Sequence, residues 1–203
     1  YYSIKIYSLT GDCFMQKPFW KIMKNKELVK DLLQIIKSCN SLGIKFIVIP
    51  LVDNGSIKKK IEMKNLLNVC NDMIKYLKKY GIRLIFESDL PPLKLKKFIS
   101  LFDKKYFGIN YDVGNSASLN YKINDEFKSY GNYIFNIHIK DRKKFGGTVR
   151  LGKGNANFKC LFKNLKKIDY KNNLILQTAR SKTNQHMNEI KINLNYLKKF
   201  ENA

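Results

Sequence analysis

Four polar residues stand at the ends of apolar, β-rich segments of the chain. Glu87 closes Ile85-Phe86-Glu87-Ser88, and Asp112 closes Ile109-Asn110-Tyr111-Asp112. His138 lies in Phe135-Asn136-Ile137-His138-Ile139, and Gln177 closes Leu174-Ile175-Leu176-Gln177. A mixed set of carboxylate, imidazole and amide donors suits a divalent ion such as Mn²⁺, Mg²⁺, Co²⁺ or Zn²⁺. Each residue taken singly has a blander reading. A Glu after a strand is commonly a surface or capping residue, Asp112 could cap the helix that follows it, and His138 could be a satisfied core imidazole. Their recurrence on successive segments favours one common metal site.

A second set lies in the loop Lys140–Asn157, which carries Gly146-Gly147, Arg150 and Leu151-Gly152-Lys153-Gly154. Glycines let backbone N–H groups approach an anion, and Arg and Lys neutralise it. Arg142, Arg150 and Lys153, with Arg180 after the neighbouring strand-like segment, are therefore candidate substrate contacts. The competing reading is an ordinary glycine-bearing loop with solvated cations, in which Arg142 pairs with its neighbour Asp141. His186 falls in a polar loop and reads as a surface residue.

The elements that would position these groups alternate regularly. Strand-like segments occur at Ser3–Leu9, Ile44–Pro50, Ile82–Phe86, Phe107–Tyr111, Tyr133–Ile139 and Asn173–Gln177. Near-continuous apolar runs such as Phe46-Ile47-Val48-Ile49 mark strands buried on both faces. Helical periodicity appears over Glu27–Asn40 and Ile61–Lys79, Pro91-Pro92 opens a helix running to about Lys105, and Phe158–Ile168 and Asn188–Phe200 read as the last two helices. Gly43, Gly81 and Gly108 are placed as helix-ending glycines. Six β-α units imply a parallel sheet with crossover helices, in one domain over residues 1–203. A doubly wound sheet wants G-x-G-x-x-G after its first strand, and Thr10-Gly11-Asp12-Cys13 is not that. A (β/α)8 barrel fits, with about six of eight units in this chain. The start at Tyr1-Tyr2-Ser3-Ile4 leads to the expectation that two units precede it. In a barrel, catalytic groups sit at the C-terminal ends of the strands.

Composition sets the outer bounds. The 203 residues are 44% hydrophobic and 13% aromatic, so the chain can build a core. No apolar run reaches the length of a membrane span, and no signal peptide is visible. Lys plus Arg number 39 against 16 Asp plus Glu, a net charge of +23. Arginine occurs only at positions 83, 142, 150 and 180, and the lysines are spread along the chain, mostly where helices would face water. Solvated faces account for the charge better than a nucleic-acid patch. Cys13, Cys39, Cys70 and Cys160 have no metal or disulfide spacing and read as reduced thiols of a cytoplasmic protein.

The string Glu87, Asp112-Val113-Gly114-Asn115, His138-Ile139-Lys140-Asp141 and Leu151-Gly152-Lys153-Gly154 resembles the xylose-isomerase-like TIM-barrel superfamily, in its sugar phosphate isomerase/epimerase branch. Gly11-Asp12-Cys13-Phe14-Met15 and Ile49-Pro50-Leu51-Val52-Asp53 resemble that branch's third and fourth strand ends. The resemblance implies a divalent metal held by Glu87, Asp112 and His138, and a sugar or sugar phosphate turned over by proton transfer through an enediolate. The fourth family ligand is a Glu, and this chain has Gln177 there. Gln can ligate through its carbonyl oxygen but cannot accept a proton. Glu87 is then the single base, with Asp141 the next candidate. Many family epimerases have His where this chain has Asn115, and the resemblance implies a substrate contact at Asn115. Two other readings compete: an enzyme like the apurinic-site endonucleases, and a non-catalytic sugar-binding barrel. The endonucleases need a His-rich multinuclear zinc site, and this chain has two His. No membrane partner is expected, nucleic acid is disfavoured, and homo-oligomerisation is left open.

Overall fold

A computed structural model describes residues 4–22, 26–181 and 183–200. The chain divides into two compact units, residues 1–90 with 94–110, and residues 91–93 with 111–203.

In the first unit, short apolar runs with few polar interruptions become parallel strands. They are β1 (Ser8–Thr10), β2 (Phe46–Leu51), β3 (Arg83–Ser88) and β4 (Phe107–Asp112), adjacent in that order. Registers run Ser8↔Phe46, Phe46↔Arg83 and Leu84↔Phe107. All six residues of β2 are buried, as its sequence requires of a central strand. Helices α1 (Asp12–Gln16), α2 (Lys26–Ser41), α3 (Lys60–Tyr80) and α4 (Pro92–Ile99) fall between the strands. α2 buries Leu32, Ile36 and Cys39, and α3 buries Leu66, Cys70, Met73 and Leu77. Gly81 ends α3 at φ 61, and its N–H bonds to Leu77 O.

Three sequence expectations change here. β1 is short: Ile4 is 78% and Ile6 59% exposed, and pairing begins at Ser8, opposite the first residue of β2. Ser3 lies outside the described residues. Gly108 ends no helix; it lies inside β4, opposite Ile85. α4 stops at Ile99, and the chain turns to bury Phe102 against Phe86, Phe98 and Phe107.

The second unit carries the remaining elements of the chain. Its elements are α5 (Val113–Ser118), α6 (Ile123–Tyr130), β5 (Ile134–Ile139), β6 (Asp141–Arg142), β7 (Thr148–Val149), α7 (Phe158–Lys167), β8 (Leu174–Leu176) and α8 (His186–Lys198). β5 and β8 are parallel, with Ile137↔Leu174, and β6 and β7 form a small antiparallel ribbon. Six parallel strands with helices between them are the arrangement of a partial (β/α)8 barrel. Among the described residues, no helix is long and apolar enough to cross a membrane.

The second unit buries a carboxylate in its core. Glu126 on α6 is 2% exposed. Its Oε2 accepts from Tyr111 Oη at 2.7 Å and Ser116 Oγ at 2.5 Å, and its Oε1 from Tyr130 Oη at 2.7 Å. Burial pushes its carboxyl up from the ordinary 4.5, against the opposing pull of the three hydroxyl donors. Glu126→Ala would strand those hydroxyls and cost about 1–3 kcal/mol. The pH dependence follows from the raised native value. The contribution of the protonated carboxyl is complete below the ordinary value of 4.5 and declines as pH climbs through the raised one. Gln does not titrate. In urea unfolding between pH 4 and 8, wild type should therefore lose stability relative to Glu126→Gln as pH rises. A difference that stays flat, or that grows in favour of wild type, contradicts this account.

Candidate active site

Successive strand side chains point to opposite faces, so a residue at a strand end projects opposite its predecessor. Phe86 on β3 enters the aromatic cluster, which sends Glu87 the other way. Glu87 is 8% exposed, and its Oε2 accepts from Asn110 Nδ2 on β4 at 2.7 Å.

Asp112 ends β4 and also caps α5. Its Oδ1 accepts from the Asn115 backbone N–H at 2.8 Å, and its Oδ2 pairs with Lys140 Nζ at 2.9 Å. The Asp112 side chain is 1% exposed and that of Lys140 15%. Lys140 lies this close because residue 114 is glycine: a Cβ there would sit 2.7 Å from Lys140 Cγ. Asn115 Oδ1 accepts from Arg142 Nη1 at 2.9 Å and from Lys140 Nζ at 3.4 Å. Arg142 Nε donates to Gly146 O at 2.9 Å.

His138 on β5 is 3% exposed. Within the second unit, Asp112 and His138 are both buried and offer ligand atoms within 4.8 Å of one another; Glu87, buried at the end of β3, is the third strand-end donor. Donors bind a divalent ion at about 2.0–2.6 Å, so donors on one ion stand about 4–5 Å apart. The Asp112 carboxylate and the imidazole fit that requirement.

The glycine loop behaves otherwise than a substrate-facing anion cradle. Its amides converge on the protein's own Asp141, which is fully buried. Asp141 Oδ2 accepts from Gly152 N at 2.9 Å and Gly154 N at 2.8 Å, and Oδ1 from Ala156 N at 3.0 Å. A Cβ at residue 154 would overlap Asp141 Oδ1, and Gly152 (φ 79) lies against Tyr196. Leu151 N donates to Asn193 Oδ1 of α8 at 2.9 Å. Arg150 forms a two-point pair with Glu189 of α8, at 2.9 and 2.5 Å. Those hydrogen bonds hold Glu189 below the usual carboxylate range and raise Arg150.

Lys153 and Arg180 are exposed. Gln177 follows β8; it too is exposed, and its N–H donates to Ile139 O at 3.0 Å. It lines a groove with Arg180, His186 and Glu189. Sequence reasoning gave no role to Asn110, to Lys140 beyond its motif, or to Asp141 as a loop anchor. Gly114 and Gly154 were the available signals, since each makes room for one of these side chains.

A model of the xylose isomerase-like TIM barrel matches residues 13–200. Over 119 residues the chain is 24% identical to an uncharacterized protein of Methanocaldococcus jannaschii, MJ1311, a stretch that is 53% of this chain and 41% of that protein. The match thus spans less than half of that relative. The structure of an IOLI protein with a zinc atom bound superposes with a TM-score of 0.75 at 16% identity, over 98% of this chain and 79% of that one. The apo form of 3-keto-D-glucoside 4-epimerase from E. coli gives 0.75 at 13% identity, over 97% and 80%. Sugar phosphate isomerase/epimerase proteins are among the other structures that share the fold.

The loop geometry yields a test. Gly154→Ala should push residue 154 off Asp141 and release the loop. Amide exchange at Gly152 and Ala156 should quicken about 10- to 100-fold, the scale of one lost hydrogen bond to a charged group. Unchanged protection at both amides would show that Asp141 does not anchor the loop.

Proposed function

We propose, for a chain that belongs to the xylose isomerase-like TIM-barrel family, that it carries the site of a divalent-metal-dependent sugar or sugar-phosphate isomerase or epimerase. The observation that carries this reading is the buried pair of Asp112 and His138, whose ligand atoms lie within 4.8 Å of one another; Glu87, at the end of the neighbouring strand in sequence, supplies the second carboxylate. Mn²⁺, Mg²⁺, Co²⁺ or Zn²⁺ would be held by these three residues, with the Gln177 carbonyl oxygen as fourth donor. Bound there, such an ion supplies Lewis-acid polarisation of a substrate carbonyl and its neighbouring hydroxyl.

The protein's own groups divide the remaining work. Glu87 is the base that takes a proton from the carbon beside the carbonyl and returns it to the adjacent position. Asn110 fixes one of its oxygens and so orients the carboxylate. Asp112 is engaged by Lys140 and by the α5 amide, which makes it a ligand rather than a proton carrier. Asp141 is a positioning residue, because its carboxylate already holds three loop amides. Arg142 fixes the Asn115 amide for a substrate hydroxyl. Gln177 cannot accept a proton, so exchange should run on one face of the sugar. That same residue favours the second reading, a barrel that binds a sugar without turning it over.

The native protein should bind one divalent ion per chain by elemental analysis; two or three would point to the nuclease chemistry instead. Glu87→Gln should retain the ion and lower solvent-deuterium incorporation into ketose or aldose phosphates by about 10²–10⁴-fold. Full exchange in that variant overturns Glu87 as the base. No exchange with any sugar in the native protein favours binding alone.

A further inference from the structure

We infer that Glu126 is a positioning residue for the candidate metal centre: its carboxylate tethers the chain on both sides of Asp112. The inference rests on the metal-centre reading above, but its geometry lies wholly within the second unit.

Tyr111 immediately precedes Asp112 and, by strand alternation, points away from it. Ser116 lies one helical turn beyond Asp112, on α5. Both hydroxyls donate to the same oxygen, Glu126 Oε2, and Tyr111 Oη and Ser116 Oγ stand 3.3 Å apart. Between the two tethered residues, Asp112 Oδ1 holds the Asn115 N–H. The strand end, the cap and the first turn of α5 are therefore referred to one atom. A rotation of α5 would carry with it the Asn115 amide that meets Arg142 and Lys140.

The bracket is dry. Glu126, Tyr111, Ser116 and Tyr130 are 2, 3, 6 and 3% exposed, so water cannot substitute for a lost bond. Apolar residues would fill this space at lower desolvation cost. A carboxylate adds direction, because its oxygens fix where the hydroxyls must be. The two oxygens do different work. Oε2 reaches the Asp112 segment, whereas Oε1 accepts from Tyr130, on Glu126's own helix. That asymmetry separates positioning from packing.

The test uses the full chain, Mn²⁺ titration and amide exchange at Asn115. Tyr111→Phe and Ser116→Ala should each weaken Mn²⁺ binding about 10- to 100-fold and speed exchange at Asn115. Tyr130→Phe removes a hydroxyl from the same carboxylate and should leave both readouts at wild-type values. Glu126→Gln keeps one carbonyl acceptor for the two bridging hydroxyls and should fall between wild type and Ser116→Ala. If Tyr130→Phe matches Ser116→Ala in both readouts, Glu126 is a packing element and the inference is overturned. Wild-type protein that binds no Mn²⁺ overturns the metal-centre reading; exchange at Asn115 in the same variants then decides the tether by itself.

Discussion

A carboxylate withdrawn from water must be given hydrogen-bond donors, or it forfeits several kcal/mol of solvation. This chain buries Glu87, Asp112, Glu126 and Asp141, all at 8% exposure or less. Each is supplied differently. Glu87 receives a side-chain amide, Asp112 a helix N–H and an ammonium, Glu126 three hydroxyls, and Asp141 three loop amides. The donors arrive from elements far apart in sequence. Satisfying the carboxylates therefore fixes where α5 begins, how α6 sits on it and the path of residues 150–156. The apolar core makes the sheet, and the buried acids give its polar ends their shape.

That division explains what could be read from the sequence. The strands were legible because runs such as Phe46–Ile49 can be satisfied in few ways other than as buried parallel strands. α2 and α3 were legible from their apolar stripes. α5 and α6 were not, since α5 has six residues and α6 eight, too few turns to show a period. Glu87, Asp112 and His138 stood out because strand ends are where polar residues interrupt apolar runs. Their partners did not. Lys140 is one lysine among many until Gly114 is seen to leave room for its stem. Glu126 follows Asp125 and precedes Lys128, and it passes for a surface acid. The glycine loop was read as facing a ligand, because a sequence cannot show that its amides are already claimed by Asp141.

Charge illustrates the same point. Lys171 and Asp169 meet at 2.5 Å with side chains 76% and 79% exposed, and such pairs contribute about 0–1 kcal/mol. Lys140 and Asp112 meet at 2.9 Å with 15% and 1% exposure, where each ion is obliged to have the other. The net charge of +23 describes the first kind of lysine and says little about the second.

The interlock of Asp141 with its loop bears on how this protein can change over generations. While an aspartate occupies 141, position 154 is closed to any side chain, and 152 is closed by its left-handed backbone and by Tyr196. Lys153, between them, faces outward and is free to drift, whereas Asn155 Oδ1 is held by the Lys144 N–H at 2.8 Å. Loss of the aspartate would leave both restrictions in force, because a Cβ at 154 would also sit 2.6 Å from the Arg142 carbonyl oxygen. Lineages of this chain should thus keep the second glycine even where the aspartate is lost, because the backbone itself closes that position, while the first glycine travels with the aromatic ring on α8.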